Sequence, residues 1–318
     1  LGTPPAFRRQ RRRPVATPLE RLRDLPSREL ERALDEAGER RFMAKALAIM
    51  ERLRGGDAEE ELYARLMEAL GYSQNRSPML LLARGLPLRR VKGLVGPDVD
   101  HLALEAIILG AAGLLPHQRG LCLPGLEEER RSEELEQLWR SMGESTVVPQ
   151  GMWSNFRLRP HNQPTRRLLG ASFLVGRYWH HGLVEGLRAK LQRGLREIER
   201  GLEVASEGFW AHHLDFHRPV SRAPSLVGGG RAREMAINVV LPLFFAQSHL
   251  FGDRELGRRS LALYYQCPPG QDNEITREVE GLLLTSRGKR AVVNSARRQQ
   301  GLIQLYHVLG GQASNGPG

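Results

Sequence analysis

Cysteine is nearly absent from this sequence, and long apolar runs are absent as well. Cys122 and Cys267 are its two cysteines, which excludes a disulfide framework and a four-cysteine structural zinc site. The longest apolar run, Leu102 to Pro116, is interrupted by Glu105 and is too short to cross a bilayer, and no cleavable secretory signal opens the chain. We therefore expect a cytoplasmic protein that does not enter a membrane.

Lysine is also scarce, so the positive charge of the chain rests on arginine. Lys45, Lys92, Lys190 and Lys289 are the four lysines among 47 basic residues, and the net charge is +11. A GC-rich genome replaces lysine by arginine without functional pressure, although it does not create an excess of base over acid. That excess favours polyanions such as nucleic acid, because phosphate contacts release counterions. It serves solubility equally well, so charge alone leaves both explanations open.

Length and composition predict a folded chain of one or two domains. Hydrophobic residues make up 41% and charged residues 26% of 318 residues, which is ordinary globular composition. Residues 1–26 are basic and rich in proline, and we expect a disordered linker or tail there. Residues 27–311 form the predicted helical domain, with a subdomain boundary near residues 143–164 as one alternative. A disordered tail follows over residues 312–318.

Helical periodicity dominates the domain and predicts an all-α fold. The first helix begins at Ser27 and ends at Gly55, and Asp57 caps a second helix with Glu60 at the capping-box position and Gly71 as a left-handed stop. Pro242 is expected to kink a later apolar helix. The result is an irregular multi-helix array interrupted by two long loops, over residues 143–164 and 206–230. Further helices are predicted from residue 78 and over residues 100–112, 127–142, 165–178, 182–202, 235–247, 253–264 and 295–309.

Residues 153–167, here called the arginine strip, are the strongest candidate site. They predict an extended segment that enters a helix at Pro164, with Asn162 near its cap. Guanidinium groups bind phosphate in a bidentate manner, and the first amides of a helix favour anions, so a phosphate site is one interpretation. In the other, the arginines brace helix ends through backbone carbonyls and buried carboxylates, with Glu105 as an available partner. The candidate residues are Trp153, Arg157, Arg159, Asn162, Arg166 and Arg167.

Three histidines near one another are the candidates for metal ligands. His212, His213 and His217 lie with Asp215 inside six residues, and imidazole and carboxylate are common transition-metal ligands. The spacing matches no established helical zinc pattern, however, and the neighbouring Trp210 is typical of an aromatic lid over a core. We therefore predict no cofactor and keep the histidines as weak metal candidates.

Several further polar residues lie beside apolar helices. Asn75 and Asn238 are interpreted as structural, because buried amides usually satisfy backbone groups. Gln300 and Gln304 lie on one face of the last helix, where we expect contact with solvent, a partner chain or nucleic acid. No phosphate-binding glycine loop, nucleophile elbow or paired metal-binding carboxylates are present, so the sequence supports no catalytic assignment.

Five ordered motifs resemble a bacterial family catalogued as domain of unknown function 2851 (DUF2851). The resemblance extends from about Glu31 to Tyr306. The motifs are Ala69-Leu-Gly-Tyr-Ser-Gln-Asn-Arg76, Leu104-Glu-Ala-Ile-Ile-Leu-Gly-Ala-Ala-Gly-Leu114, Phe156-Arg-Leu-Arg-Pro-His-Asn-Gln-Pro-Thr-Arg166, Ile237-Asn-Val-Val-Leu-Pro242 and Gln300-Gly-Leu-Ile-Gln-Leu305.

The resemblance implies a link to nucleases, since longer members carry an N-terminal region that looks like a metal-dependent nuclease core. That region is not found here, and Gly96-Pro97-Asp98-Val99 has only a superficial similarity to one of its motifs. The leading hypothesis is a non-catalytic helical module that holds a nucleic-acid backbone through Arg157, Arg159, Arg166 and Arg167. The alternatives are a structural or interaction domain that docks a nuclease-like domain or a second copy, and a metal-dependent enzyme fragment.

Overall fold

The computed structural model describes residues 22–156, 158–159, 162–271, 274–283 and 292–313. These residues form helices joined by turns and loops, and the described ranges contain no strand beyond the isolated bridges Val204–Val227 and His213–Pro219. The all-α prediction is confirmed. The predicted linker and tail lie mostly outside the described residues.

The α-helices follow one another closely along the chain. They are α1 Ser27–Leu53, α2 Ala58–Leu70, α3 Arg76–Gly85, α4 Leu88–Val95, α5 His101–Ala111, α6 Leu126–Ser141, α7 Pro164–Arg177, α8 Leu183–Arg193, α9 Leu195–Leu202, α10 Gly229–Met235, α11 Leu241–Phe251, α12 Arg254–Gln266, α13 Glu274–Leu283 and α14 Ala296–Ala313, with a π-helix at Ala236–Val240.

The chain divides into two compact units, residues 1–41 with 271–318 and residues 42–270. In the first unit, Leu30 and Leu34 of α1 pack with Val279, Val292 and Leu302 in a small apolar core. Residues 143–164, the predicted subdomain boundary, lie inside the second unit.

Glycine permits close contact between α1 and α14 within the first unit. A Cβ atom at Gly301 would overlap the carbonyl of Leu34, and one at Gly38 would overlap the carbonyl of Arg297. Arg297 also pairs with Asp35 at 2.8 Å. Small residues therefore let the two backbones approach, and ion pairs flank the contact.

In the second unit, α5 is the central buried helix. It packs against α6 and α7, and all of its residues from Ala103 to Ala111 are buried. Asp100 caps it by accepting hydrogen bonds from the amides of Leu102 and Ala103. A Cβ atom at Gly110 would overlap the Trp139 ring of α6, so this glycine makes room for a large aromatic side chain. The helix predicted over residues 100–112 is confirmed.

The acidic first turn of α2 caps three helices. Asp57 caps α2 itself by accepting from the amide of Glu59 at 2.8 Å, as predicted. Glu60 does not close the predicted capping box, because it accepts from the amides of Leu88 and Arg89 and so caps α4. Glu59 likewise accepts from the first amides of α8.

The predicted left-handed stop at Gly71 is wrong. Gly71 has a right-handed φ of −71°, and the positive φ of 52° belongs to Tyr72. Gly71 is needed for a different reason, since a Cβ atom there would overlap the backbone of Asn75.

Two later helices differ from their predicted course. The single helix expected over residues 182–202 breaks at Gly194, whose φ is 117°, into α8 and α9. The apolar helix around Pro242 contains a π turn at Ala236–Val240 directly before the proline, which has no amide proton to donate. Helices α4, α10 and α13 were not predicted.

The segment Gly229–Phe251 is long and apolar enough, by length and composition, to cross a membrane. The helix predicted over residues 235–247 covers only part of this segment, because the helical turns over Gly229–Met235 were not predicted. Since 67% of its most apolar window is buried inside the protein, the helix has the environment expected for the core of a soluble protein.

Candidate functional site

The N-terminal part of the arginine strip is held to the helical body. Trp153 is buried and donates from Nε1 to the carbonyl of Ala112 at 2.8 Å. Asn75 fixes the next residue, because its amide group donates to the Ser154 carbonyl at 2.9 Å and accepts from the Ser154 amide at 2.8 Å. Asn75 therefore has the structural role predicted for it.

The middle of the arginine strip lies at the surface. Arg159 is exposed, and its backbone carbonyl accepts from the amide of Asn162 at 2.8 Å. Phe156 is 71% exposed. Arg157 lies outside the described residues.

Arg166, in the first turn of α7, is fully buried. Its guanidinium donates to the carbonyl of His213 at 2.8 Å, to the hydroxyl of Ser206 at 2.7 Å, and to the carbonyl of Pro224. Burial, together with the positive charge of Arg167, lowers the pKa of Arg166 to about 10. Arg166 therefore connects α7 to the long loop over residues 204–228.

Arg167 is buried beside Arg166 and has similar partners. It donates to the carbonyl of Leu226 and to the side-chain oxygen of Asn162. Its guanidinium carbon lies 4.9 Å from the centre of the Tyr72 ring, and Arg231 covers the same ring at 3.2 Å. Burial lowers the pKa of Arg167 as well.

Neither buried arginine forms a hydrogen bond or ion pair with a carboxylate within the described chain. Asp215 is near enough to favour the charge of Arg166 but is paired with Arg218 at 3.2 Å. The Nε atoms of Arg166 and Arg167 are buried without a hydrogen-bond partner. Positive charge without a directly bonded carboxylate therefore lies at the N-terminus of α7, where helix amides also favour anions.

Glu105 does not brace the arginine strip, contrary to expectation. Its Oε2 atom accepts from Arg131 at 2.6 Å and from Trp210 Nε1 at 2.9 Å. Glu105 is 2% exposed, and burial raises the pKa of its carboxyl group despite the nearby Arg131. The acid belongs to a different site, a cleft on the same unit.

The cleft has a volume of about 540 Å³ and lies between α5, α6, α7 and the loop over residues 204–210. In its lining, Glu105 is hydrogen-bonded to both Arg131 and Trp210. His101 and Phe173 stack with ring centres 5.2 Å apart. The full lining is His101, Glu105, Arg131, Phe173, Arg177, Val204, Ala205, Glu207, Gly208, Phe209 and Trp210.

Sequence reasoning missed most of the cleft. The sequence predicts a helix over residues 165–178, which includes Phe173 and Arg177, and an irregular loop over residues 206–230, which includes Phe209. They meet because Arg166, at the start of α7, is hydrogen-bonded to Ser206 and His213 of the loop, and Phe173 and Arg177 follow two and three turns later on the same helix. The polar loop residues and the buried acid gave separate signals, but nothing in the local sequence indicated that they converge.

The three candidate metal ligands do not converge. His212 contacts the carbonyl of Ser221 at 3.0 Å, and His217 lies 3.1 Å from Asp215. His213 contacts the carbonyl of Phe209 and Glu128 Oε1, each at 2.9 Å, and its hydrogen bond lowers the pKa of Glu128. In the part of the chain that the structure describes, no group of three or more histidine, cysteine or acidic residues is placed to hold a metal ion.

The remaining polar candidates have local partners. Asn238 donates to the carbonyl of Glu234 at 2.8 Å and accepts from Lys45, in keeping with a structural role. Gln300 is buried and accepts from Arg41 at 2.9 Å, so this side chain has a polar partner within the chain. Gln304 is partly buried.

A family model described as "Protein of unknown function (DUF2851)" matches residues 13–273 of the chain. The chain belongs to this family. The match covers the arginine strip and the whole lining of the cleft, and it ends before the Gln300–Leu305 motif of the DUF2851 chain. No curated protein and no solved structure matches the chain.

Proposed function

We propose that this DUF2851 chain is a non-catalytic cytoplasmic module that binds the phosphate backbone of nucleic acid at the surface of the arginine strip. The observation that carries the proposal is the pair of buried guanidinium groups, Arg166 and Arg167, whose hydrogen bonds go to carbonyls, a hydroxyl and an amide. Their charge is not cancelled by a directly bonded carboxylate. An anion at the adjacent surface would compensate it.

The buried arginines provide a positive electrostatic potential at this surface, and the direct contact with phosphate is made by an exposed side chain. Arg166 is fully buried and cannot touch a ligand in this conformation. Arg159 is exposed on the same segment, and we assign it the direct phosphate contact. Arg157, which lies outside the described residues, is a second candidate by its place in the sequence. Asn162 lies between Arg159 and Arg166 in the sequence, and it orders this part of the strip by accepting a hydrogen bond from Arg167.

The distribution of charge along the sequence supports a polyanionic partner. Residues 1–21 contain six arginines and one glutamate, and residues 284–290 contain Arg287, Lys289 and Arg290 with no acid. Most of the net charge of +11 therefore belongs to two short segments. Concentrated charge favours backbone contacts that do not depend on base sequence.

The proposal is tested by fluorescence anisotropy with labelled single- and double-stranded oligonucleotides of several sequences. We expect binding that is similar for all sequences and weakens steeply as salt rises, because each phosphate contact releases counterions. Absence of binding at low salt would contradict the proposal, and so would affinity that is independent of salt.

A second candidate is a structural or interaction domain in which the strip serves as a brace. The bonds from Arg166 and Arg167 to His213, Pro224 and Leu226 favour it, because they attach a long loop to α7. Its partner would be a nuclease-like domain or a second copy of the chain. An oligonucleotide titration without binding, combined with loss of folding on replacement of Arg166, would favour this candidate.

A further inference from the structure

We propose that the cleft lined by Glu105, Phe173, Arg177, Phe209 and Trp210 binds a nucleoside monophosphate. The base would lie among the aromatic side chains with its polar edge toward Glu105. The phosphate would lie at Arg177, on the rim. This site is separate from the proposed backbone contact at Arg159 and does not depend on it.

The cleft has the size and lining of a small-molecule site. Its volume of about 540 Å³ falls within the usual range of about 300–1,000 Å³ for ligand pockets. Aromatic residues come from both sides, Phe173 from α7 and Phe209 and Trp210 from the loop. Aromatic rings bind nucleobases by stacking, and the interaction tolerates any base because every base has a π face.

The buried acid offers an unused acceptor. Both hydrogen bonds to Glu105 go to Oε2, and in the described chain Oε1 accepts none. Base edges present N–H donors, and a carboxylate in an apolar surrounding binds them strongly because water competes weakly there. A ligand that lacks the N–H donor would leave this buried carboxylate oxygen unpaired, so the contact would discriminate between ligands.

Arg177 is a fixed cation with free donors. Its NH1 atom donates to the carbonyls of Gly201 at 2.9 Å and Glu203 at 2.6 Å. No hydrogen bond within the described residues uses its Nε or NH2 atom, and the residue is exposed to solvent. A guanidinium held by one nitrogen can present the others to a phosphate.

The charges also decide against another ligand class. Aromatic rings beside a carboxylate are typical of sites for quaternary ammonium groups. Here Arg131 already pairs with Glu105, and the other two charged side chains of the lining, Arg177 and Glu207, have opposite signs. The lining therefore has no net negative charge to attract a cation, whereas the donors of Arg177 favour a ligand with an anionic end.

The wall of the cleft is held in place by Arg166. Ser206, which accepts from Arg166, lies between the lining residues Ala205 and Glu207. His213, whose carbonyl also accepts from Arg166, stacks on Phe209 with ring centres 3.8 Å apart. Arg166 is therefore a positioning residue for this wall.

Isothermal titration calorimetry with the full chain tests the proposal, using guanosine, adenosine, cytidine and uridine 5′-monophosphates and, as a probe without a base, ribose 5-phosphate. Ala205 lines the cleft and is exposed, so Ala205→Trp would fill the cleft without disturbing buried packing. Ala189→Trp places the same side chain at an exposed site on α8 and is the matched control.

We expect at least one nucleotide to bind the unmodified protein and to bind Ala205→Trp about tenfold more weakly, or weaker still. The affinity of Ala189→Trp for this nucleotide should be unchanged. Arg177→Gln should weaken the nucleotide more than the corresponding nucleoside. No heat with any nucleotide would overturn the proposal, as would ribose 5-phosphate binding as tightly as the nucleotides. If Ala205→Trp fails to fold, the Arg177→Gln comparison decides, and equal losses for nucleotide and nucleoside would contradict the assignment. Arg159→Ala should leave nucleotide binding unchanged, which separates this test from that of the backbone contact.

Discussion

The guanidinium group of Arg166 joins three positions that are distant in sequence, at Ser206, His213 and Pro224. Replacement by alanine removes the donor from the carbonyl of the buried His213 and from the Ser206 hydroxyl, while the Pro224 carbonyl keeps its hydrogen bond from Ser206. We expect Arg166→Ala to lower the free energy of unfolding by about 2–4 kcal/mol, measured by urea denaturation. Arg196→Ala removes the same charge from an exposed position on α9 and should change stability by less than about 0.5 kcal/mol. Equal effects of the two substitutions would show that Arg166 does not act as a brace.

Glu105 gives stability a pH dependence with a definite sign. Burial raises the pKa of its carboxyl group above the ordinary value of 4.5, so the folded protein keeps this proton to higher pH than the unfolded chain. Stability must then fall as pH rises from below the ordinary value through the raised folded value. Glu105→Gln removes this titration. As pH rises, the unfolding free energy of the original protein should therefore fall relative to that of Glu105→Gln. A relative rise would contradict the assignment.

Individual side chains were only partly predictable from the sequence. Backbone carbonyls were correctly considered as partners of the strip arginines, because guanidinium groups often serve this purpose. Glu105 was assigned to the wrong arginine, since its partner Arg131 lies on another helix and no local pattern links them. The partners of Gln300 and Tyr72 likewise depend on tertiary contacts.

At the scale of elements, the carboxylates at the start of α2 organise two other helices. Glu60 bonds both Leu88 and Arg89 amides at 2.8 Å, and Glu59 bonds those of Leu183 and Val184. We expect Glu60→Ala and Glu59→Ala each to lower the free energy of unfolding by about 0.5–2 kcal/mol, in the range of lost helix caps. Thermal or chemical denaturation of both variants measures this. Glu51→Ala, at an exposed position of α1, is the control and should have little effect.

Helix packing around α5 depends on a glycine. A Cβ atom at Gly110 would overlap the Trp139 ring, and we expect Gly110→Ala to destabilise the protein by about 1–3 kcal/mol. Gly93, in α4, has no neighbour within 4 Å of a Cβ atom, so Gly93→Ala should be neutral or stabilising by up to about 1 kcal/mol. Calorimetric unfolding of the two variants distinguishes a packing effect from a general gain in helix propensity, which would move both the same way.

The helices themselves were largely predictable, whereas their interruptions were not. The spacing of apolar residues predicts α1 and α2. The positions that form this pattern in α1 are all buried, namely Leu30, Leu34, Ala37, Phe42, Ala46, Ile49 and Leu53. The break at Gly194 was missed because the apolar pattern continues across it. Helix α4 was missed because its cap comes from Glu60, far away in sequence.

At the scale of the whole molecule, family membership and the helical class were both accessible from sequence. The motifs that identify the DUF2851 family include buried helix positions such as Leu104 to Ala112 and the arginine strip, so they report on the fold at least as much as on a site. The cleft could not be predicted, because its lining comes from three helices and a loop that only the tertiary fold brings together.

In the proposed function, Arg159 contacts phosphate while Arg166 and Arg167 hold the strip behind it. The most direct measurement is the slope of log affinity against log salt for a single-stranded oligonucleotide, with the unmodified protein, Arg159→Ala and the exposed control Arg196→Ala. We predict that Arg159→Ala stays folded, binds more weakly and reduces the slope by about one, the loss of one phosphate contact. Arg196→Ala should leave the slope unchanged. Equal slopes for all three folded proteins would contradict the claim.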